Sequence, residues 1–118
     1  MNQVQVVQQL NTLQGIRVHY DHSDPAEPLP KIEVHIEQGS NFAADNRVYV
    51  QGWDFTIDLY TEEKDTAVEK QVKDLLDSID VYWTRSENYL NDESCYEIEF
   101  NFSVIGDESD PLGGDQNA

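Results

Sequence analysis

The sequence predicts an α+β domain, in which helices pack on one face of an antiparallel or mixed sheet of four to five strands. Apolar and polar residues alternate in three segments, which is the period of a strand with one buried face. In two other segments the apolar residues recur every three to four positions, as in an amphipathic helix. Connections of hairpin length favour antiparallel pairing. The domain is expected over residues 1–106, with a flexible acidic tail at 107–118.

At the N-terminus, Val4, Val7 and Leu10 recur at helical spacing, and Gly15 follows as a stop signal. Further along, Thr66 and Glu69 have the spacing of a capping box at the start of a second apolar stripe. The predicted elements are, in order, a helix at 2–13, a candidate strand at 16–20, a proline-bearing loop at 24–30, a strand at 31–37, a long hairpin loop at 38–47, a strand from 48, a helix at 66–78, a strand at 81–85, a polar turn at 86–93 and a long strand at 96–104.

In the strand predicted from residue 48, the alternation of apolar and polar residues shifts by one position. Val48 and Val50 are apolar at even positions, whereas Trp53 and Phe55 begin an apolar series at odd positions. A β-bulge at 51–52 would return the later residues to the core face, because it adds one residue to one strand only.

Composition excludes several classes of function. The chain has 24 acidic and seven basic residues among its 118, a formal charge of −17, and such a field repels nucleic acids and anionic membranes. Cys95 is the single cysteine, so neither an intrachain disulfide nor a cysteine-rich zinc site is expected. The first residues lack the pattern of a signal peptide, and no apolar run approaches the roughly 20 residues that span a bilayer. We expect folding in a reducing cytosol.

No common catalytic motif is present, whether a glycine-rich phosphate loop, a G-x-S-x-G elbow or an H-E-x-x-H helix. We therefore expect no enzymatic activity and no cofactor. Cys95 lacks a cationic neighbour in sequence and is expected to be a passive thiol. Imidazoles and carboxylates that could ligate a divalent ion cluster in one loop, but a polar loop before prolines explains them more simply. They are His19, Asp21, His22 and Asp24.

Four carboxylates should share the solvent-exposed face of the sheet: Asp54, Asp58, Glu97 and Glu99. Paired carboxylates can act as acid and base or hold Mg²⁺, but in so acidic a chain close pairs arise by chance. Trp53 and Trp83 are expected in the core or on the sheet. Phe42, inside a polar loop, either folds back on the domain or anchors a partner.

The junction between the central strand and the central helix carries a recognisable pattern. It consists of Asp58-Leu59-Tyr60-Thr61-Glu62-Glu63-Lys64-Asp65, running into Glu69, Val72, Leu75 and Leu76. This stretch resembles small neck proteins of long-tailed phages (siphoviruses), the tail terminator or tail completion family. The likeness extends from about residue 30 to 105. It includes the hairpin segment Ala44-Asp45-Asn46-Arg47-Val48-Tyr49 and the final strand after a turn containing Tyr89.

The resemblance implies a virion structural protein, assembled in the host cytoplasm and located at the neck. Its partners would be other copies of itself in a ring, usually of six, the major tail tube protein and the head-tail connector or stopper protein. DNA would pass through without specific binding. The hairpin would contact the tail tube or a neighbouring subunit, with Phe42, Asp45, Arg47 and Tyr49 as candidates. Asp54, Asp58, Glu97 and Glu99 are candidates for a lumen or an acidic face.

Two alternatives remain open at this point. Ordered carboxylates can imitate phosphates, so the chain could be a DNA-mimicking inhibitor of a nucleic-acid enzyme. The carboxylates and histidines could also serve a metal-dependent hydrolase, which is the weaker hypothesis.

Overall fold

A computed structural model describes residues 2–39, 42–44, 47–50 and 52–105. Two helices and seven strands lie in these ranges. In chain order they are α1 (Gln3–Leu10), β1 (Arg17–Tyr20), β2 (Lys31–Gln38), β3 (Phe42–Ala44), β4 (Arg47–Val50), β5 (Gly52–Thr61), α2 (Thr66–Ser78), β6 (Thr84–Leu90) and β7 (Cys95–Ile105). The predicted α+β class is confirmed.

The main sheet has five strands in the order β1-β2-β5-β7-β6. The pairs β2–β5, β5–β7 and β6–β7 are antiparallel, whereas β1 runs parallel to β2, so the sheet is mixed. Ile32 pairs with Leu59 and Leu59 with Ile98, which places the apolar residues of three neighbouring strands on one face. The alternation seen in the sequence therefore becomes a continuous apolar surface.

Both helices cover that apolar surface. Val6 and Leu10 of α1 and Val72 and Leu76 of α2 are completely buried in one cluster with the sheet residues. Burying a side chain of this size stabilises the fold by about 1.5–3 kcal/mol. The sheet therefore has one face packed under helices and one face that neither helix covers.

The ends of the helices differ in detail from the prediction. Asn2 caps α1 and forms a capping box with Gln5, and the helix ends at Leu10 rather than at residue 13. The second helix has the predicted bounds, but its N-cap is Asp65, whose side chain accepts a hydrogen bond from the Val68 amide. Thr66 was the wrong capping residue because the chain enters the helix one position earlier.

The predicted long loop at 38–47 contains strand β3, and its first and last residues, Gln38 and Arg47, belong to β2 and β4. Strands β3 and β4 pair with each other in a separate two-stranded sheet, and the five-stranded sheet resumes at Gly52. The prediction of one bulged strand from residue 48 is therefore corrected, because the apolar phase changes where the chain passes from one sheet to the other. Gln51, in the predicted bulge, lies outside the described residues, as do Asp45 and the tail at 107–118.

The sixth strand was misplaced. Residues 81–83 are not in a strand, and most of the predicted polar turn is β6, which pairs with β7 from Thr84↔Asn101 to Leu90↔Cys95. The turn is confined to residues 91–94. As an edge strand, β6 lacks the alternation of a half-buried strand, so its position depends on pairing with β7 rather than on local pattern.

Both tryptophans pack with the core, as predicted. Trp53 is buried, and Trp83 packs its ring edge-on against Phe100 while its indole N–H donates to Asp77 Oδ1 at 2.9 Å. In the part of the chain that the structure describes, no helix is long and apolar enough to cross a membrane.

Candidate functional site

The sheet face opposite the helices, called here the open face, carries a row of carboxylates. Glu33 on β2 is in register with Asp58 on β5, and Asp58 is in register with Glu99 on β7. Side chains directly opposite each other on one face have Cβ atoms about 4.5–5.5 Å apart. Glu33, Asp58 and Glu99, called here the carboxylate row, therefore line up across three neighbouring strands.

Asp58, at the centre of the row, is desolvated. Only 8% of the residue is exposed, and its Oδ1 atom is buried without a hydrogen-bond partner. The imidazole of His35 lies beside it, with Nε2 3.6 Å from Asp58 Oδ2, too far for a hydrogen bond. Burial raises the pKa of Asp58 to about 6, and the negative charges of Glu97 and Glu99 add to this effect. The carboxyl group therefore takes up a proton as the pH falls through about 6.

Tyr60 and Lys31 lie beside the row. The Tyr60 hydroxyl donates to Glu97 Oε2 at 3.1 Å, and burial together with the charge of Asp58 raises the pKa of this phenol. Lys31 is buried, donates to the Asp24 carbonyl at 3.0 Å, and places its ammonium 5.6 Å from the centre of the Tyr60 ring. Its charge is thus directed to the loop and not to the row.

A cavity of about 220 Å³ opens beside Lys31 and Tyr60. Cys95 opens β7, as the sequence indicated, and lines this cavity as a buried free thiol. Burial raises the pKa of Cys95, and the carboxylates of Glu93 and Glu97 raise it further. A thiol with a raised pKa is a poor nucleophile, which agrees with the passive role predicted for it.

Asp54 lies on the same face but outside the row. It is in register with Ser103, whose hydroxyl donates to Asp54 Oδ1 at 2.6 Å. A Cβ atom at position 39 would overlap Asp54 Oδ2, so a larger residue there would require the Asp54 side chain to move. The four predicted carboxylates therefore share one face, but Asp54 is hydrogen-bonded to Ser103 and lies outside the row.

His19, on β1, makes a local contact with the proline-bearing loop. His19 Nε2 lies 2.5 Å from Glu27 Oε1, and Arg17 Nε lies 3.5 Å from Glu27 Oε2. Asp24 Oδ1 accepts from the Ala26 amide at 2.9 Å, within the loop itself. Among the described residues, no group of three or more His, Cys, Asp and Glu side chains is placed to hold a metal ion. The loop is best explained by its own packing.

The cations near α2 and β6 are already matched with carboxylates. Arg85 donates from Nε and Nη2 to Glu69 at 2.5 and 2.9 Å, and to Glu87 at 2.7 Å. Lys73 pairs with Glu69 at 2.7 Å and Lys64 with Glu87 at 3.0 Å. These contacts lower the pKa of Glu69 and of Glu87. Glu69 and Glu87 are therefore each paired with more than one cation.

Sequence reasoning missed two members of the site. Glu33 and His35 alternate with the apolar residues of β2, so their exposure was foreseeable, but their position beside Asp58 depends on the pairing of β2 with β5. Local sequence carries no direct signal for that pairing.

The predicted hairpin contacts lie in the small sheet. Phe42 opens β3, and Arg47 and Tyr49 belong to β4. Asp45 lies outside the described residues. Their part in an interface stays a prediction.

Comparison with known proteins gives a likeness of fold. No family model matches the chain, and no curated protein matches it. Among solved structures, the chain is similar to a chain from the "Virion of native gene transfer agent (GTA) particle", with a TM-score of 0.53 and 17% sequence identity. The likeness covers 88% of this chain and 94% of that one.

Proposed function

We propose that this protein is a structural component of a phage-like virion: a tail terminator that caps the tail tube and joins it to the head connector. The observation that carries the proposal is the likeness of fold, over 88% of the chain, to a chain of a gene transfer agent virion. The resemblance of the strand-to-helix junction to tail terminators supports the more specific role. No enzymatic activity is proposed.

The terminator would act as a ring, with six copies as the expected number. In a ring each subunit uses one surface to contact the next copy and a different surface to contact the previous one. The lumen would let DNA pass, because an acidic wall offers phosphates no cationic partners. The acidic open face would then line the lumen or meet a neighbouring protein.

The hairpin formed by β3 and β4 would be the contact with the tail tube. It forms a sheet of its own, separate from the five-stranded sheet. Phe42, Arg47 and Tyr49, with Asp45 between the strands, are the proposed contact residues. The protein would be found at the neck of the virion after assembly in the host cytoplasm.

One observation favours a second candidate. Glu33 and Glu99 of the carboxylate row lie on one face of the sheet, and ordered carboxylates can imitate the phosphates of DNA. A DNA-mimicking inhibitor would bind a nuclease or polymerase directly. Pull-down with defined nucleases and polymerases would support this candidate only if the complex were displaced by DNA.

Sizing the purified protein, alone and mixed with tail tube subunits, tests the first candidate. A terminator should form a closed oligomer or bind the ends of tubes. A protein that stays monomeric and does not bind tubes under any condition would contradict the proposal.

A further inference from the structure

The main sheet has a stepped edge where β7 extends beyond β6. Strand β6 begins at Thr84, opposite Asn101, so in the part of the chain that the structure describes no strand pairs with residues 102–105 on that side. These residues are called here the uncovered edge of β7. Ser103 and Ile105, which belong to it, are exposed. An uncovered strand edge is a template for the addition of another strand.

The hydrogen-bonding pattern shows that this edge carries backbone donors and acceptors. The Gly39 amide donates to the Gly52 carbonyl at 3.1 Å, so Gly52 directs its backbone groups to β2. In an antiparallel sheet this direction alternates along a strand, so Trp53 directs its groups to β7, where its register partner is Val104. Val104 therefore faces β5 with its N–H and C=O, and its two neighbours in the chain direct theirs to the uncovered edge.

An exposed aromatic side chain lies beside this edge. Tyr82 is 87% exposed and lines, with Asn101 and Ser103, a cavity of about 460 Å³ at the step. Tyrosine is enriched among the residues that anchor contacts between proteins. A strand added to β7 would therefore pack against Tyr82 while it forms hydrogen bonds with Ser103.

The hairpin of β3 and β4 has the properties of a strand that could be added. It forms a two-stranded sheet that pairs with no other strand among the described residues, and a ribbon of two strands is at best marginally stable in water. Its strands are three and four residues long, which matches the uncovered edge. In a chain of charge −17, segment 42–50 has one acidic and one basic residue, and 102–105 has neither. Two copies can therefore meet at these segments without bringing their acidic surfaces together.

We infer that the β3–β4 hairpin of one copy adds to the uncovered edge of β7 in the next copy, through the backbone of Ser103 and Ile105. Within one chain the hairpin leaves the sheet between β2 and β5, on the side of β7 away from the uncovered edge, so the acceptor is another copy. The contact joins two different surfaces, as a closed ring requires.

The inference rests on the proposed ring and deepens it, because it names the surfaces by which neighbouring copies meet. Only one strand of the hairpin is used in this contact. The tip and the other strand are left for the tail tube.

Disulfide cross-linking of the full chain tests the inference, in a Cys95→Ala background. One variant combines Ala43→Cys in β3 with Ile105→Cys, and a second combines Tyr49→Cys in β4 with Ile105→Cys, so that each strand of the hairpin is sampled. A disulfide forms only if the two Cα atoms come within about 7 Å. The matched control carries Asn88→Cys, at an exposed position on β6, in place of Ile105→Cys.

After mild oxidation we expect at least one of the two pairs to give a ladder of covalent oligomers on denaturing, non-reducing gels. The control should remain mostly monomeric. Cross-links confined to single chains, or ladders of equal yield in the control, would overturn the inference.

A proline substitution tests the backbone contact itself. Ser103→Pro removes the N–H that points to the uncovered edge and leaves the hydrogen bonds to β5 in place, whereas Ser103→Ala keeps this N–H and controls for the lost hydroxyl. We expect the concentration at which the oligomer half-dissociates to rise at least about tenfold with proline and to change less than about threefold with alanine. Equal changes would count against the inference.

Amide spectra show whether each variant is folded, and cross-linking decides the question if the proline variant is not. Rings seen by native mass spectrometry without cross-links between chains would overturn this inference alone. Monomers at every concentration would overturn the proposed ring as well.

Discussion

Replacing Asp58 with asparagine should stabilise the protein at neutral and basic pH. In the folded chain the pKa of Asp58 is raised to about 6, whereas an unfolded aspartate titrates near about 3.9. The folded state therefore binds the proton more tightly. The difference of about two pKa units corresponds to about 3 kcal/mol at most, because one unit is worth about 1.4 kcal/mol.

Solvent reduces this figure. The surrounding carboxylates of Glu33, Glu97 and Glu99 are only partly buried, so their repulsion of Asp58 is screened. His35 on β2 partly offsets that repulsion. We expect a gain of about 1–2 kcal/mol for Asp58→Asn near pH 8.

The direction of the Asp58 pKa shift determines the pH range in which the substitution acts. Because the folded pKa is raised, the contribution of Asp58 to stability is fully present below about pH 4 and is lost as the pH rises through about 6. The advantage of Asp58→Asn should thus appear between these values, reach a plateau above about pH 7 and disappear near pH 4. The wild-type chain and the variant differ in this group alone, so their difference isolates its titration.

Urea unfolding followed by tryptophan fluorescence measures the effect, since Trp53 and Trp83 both pack with the core. Glu62→Gln serves as a control at an exposed carboxylate, where a change within about 0.5 kcal/mol at every pH is expected. If Asp58→Asn lowered stability at pH 8, or if its effect did not depend on pH, the account of a desolvated and repelled carboxylate would be refuted.

Three further substitutions test the packing. Asp65→Ala should lower the free energy of unfolding by about 1 kcal/mol, because it removes the cap on the Val68 amide; an unchanged urea midpoint would contradict this. Leu76→Ala should cost about 2–5 kcal/mol, as a fully buried leucine does, and a loss below about 1 kcal/mol would contradict its place in the core. Arg85→Lys should lower the free energy of unfolding by about 0.5–1 kcal/mol, because lysine cannot make both hydrogen bonds to Glu69. In a Glu69→Gln background the same substitution should lower it by less. Equal losses in both backgrounds would show that the Arg85–Glu69 pair does not contribute.

Much of the fold could be predicted wherever periodicity and local signals agree. The bounds of α2 were correct because its apolar stripe begins and ends where capping and turn residues stand. Strand β6 was misplaced because edge pairing with β7 determines its position, and its residues on the helix side include Arg85, whose partner Glu69 lies on α2. The contact between Arg85 and Glu69 joins residues 16 positions apart, so no local sequence pattern predicts it.

The site followed the same rule. Alternation alone is enough to place Asp58 and Glu99 on one face, because both strands show the period of two. Adding Glu33 required knowing that β2 pairs with β5 in one particular register. The desolvation of Asp58 likewise depends on neighbours from three strands, which lie far apart along the chain and meet only in the folded sheet.

We propose that the protein closes the end of a tail tube as a ring. Electron microscopy of the purified protein mixed with tail tubes tests it most directly, with native mass spectrometry of the protein alone as a companion measurement. We expect closed rings, with six subunits, bound at one end of the tubes. Monomers in both experiments and bare tube ends at saturating protein would contradict it.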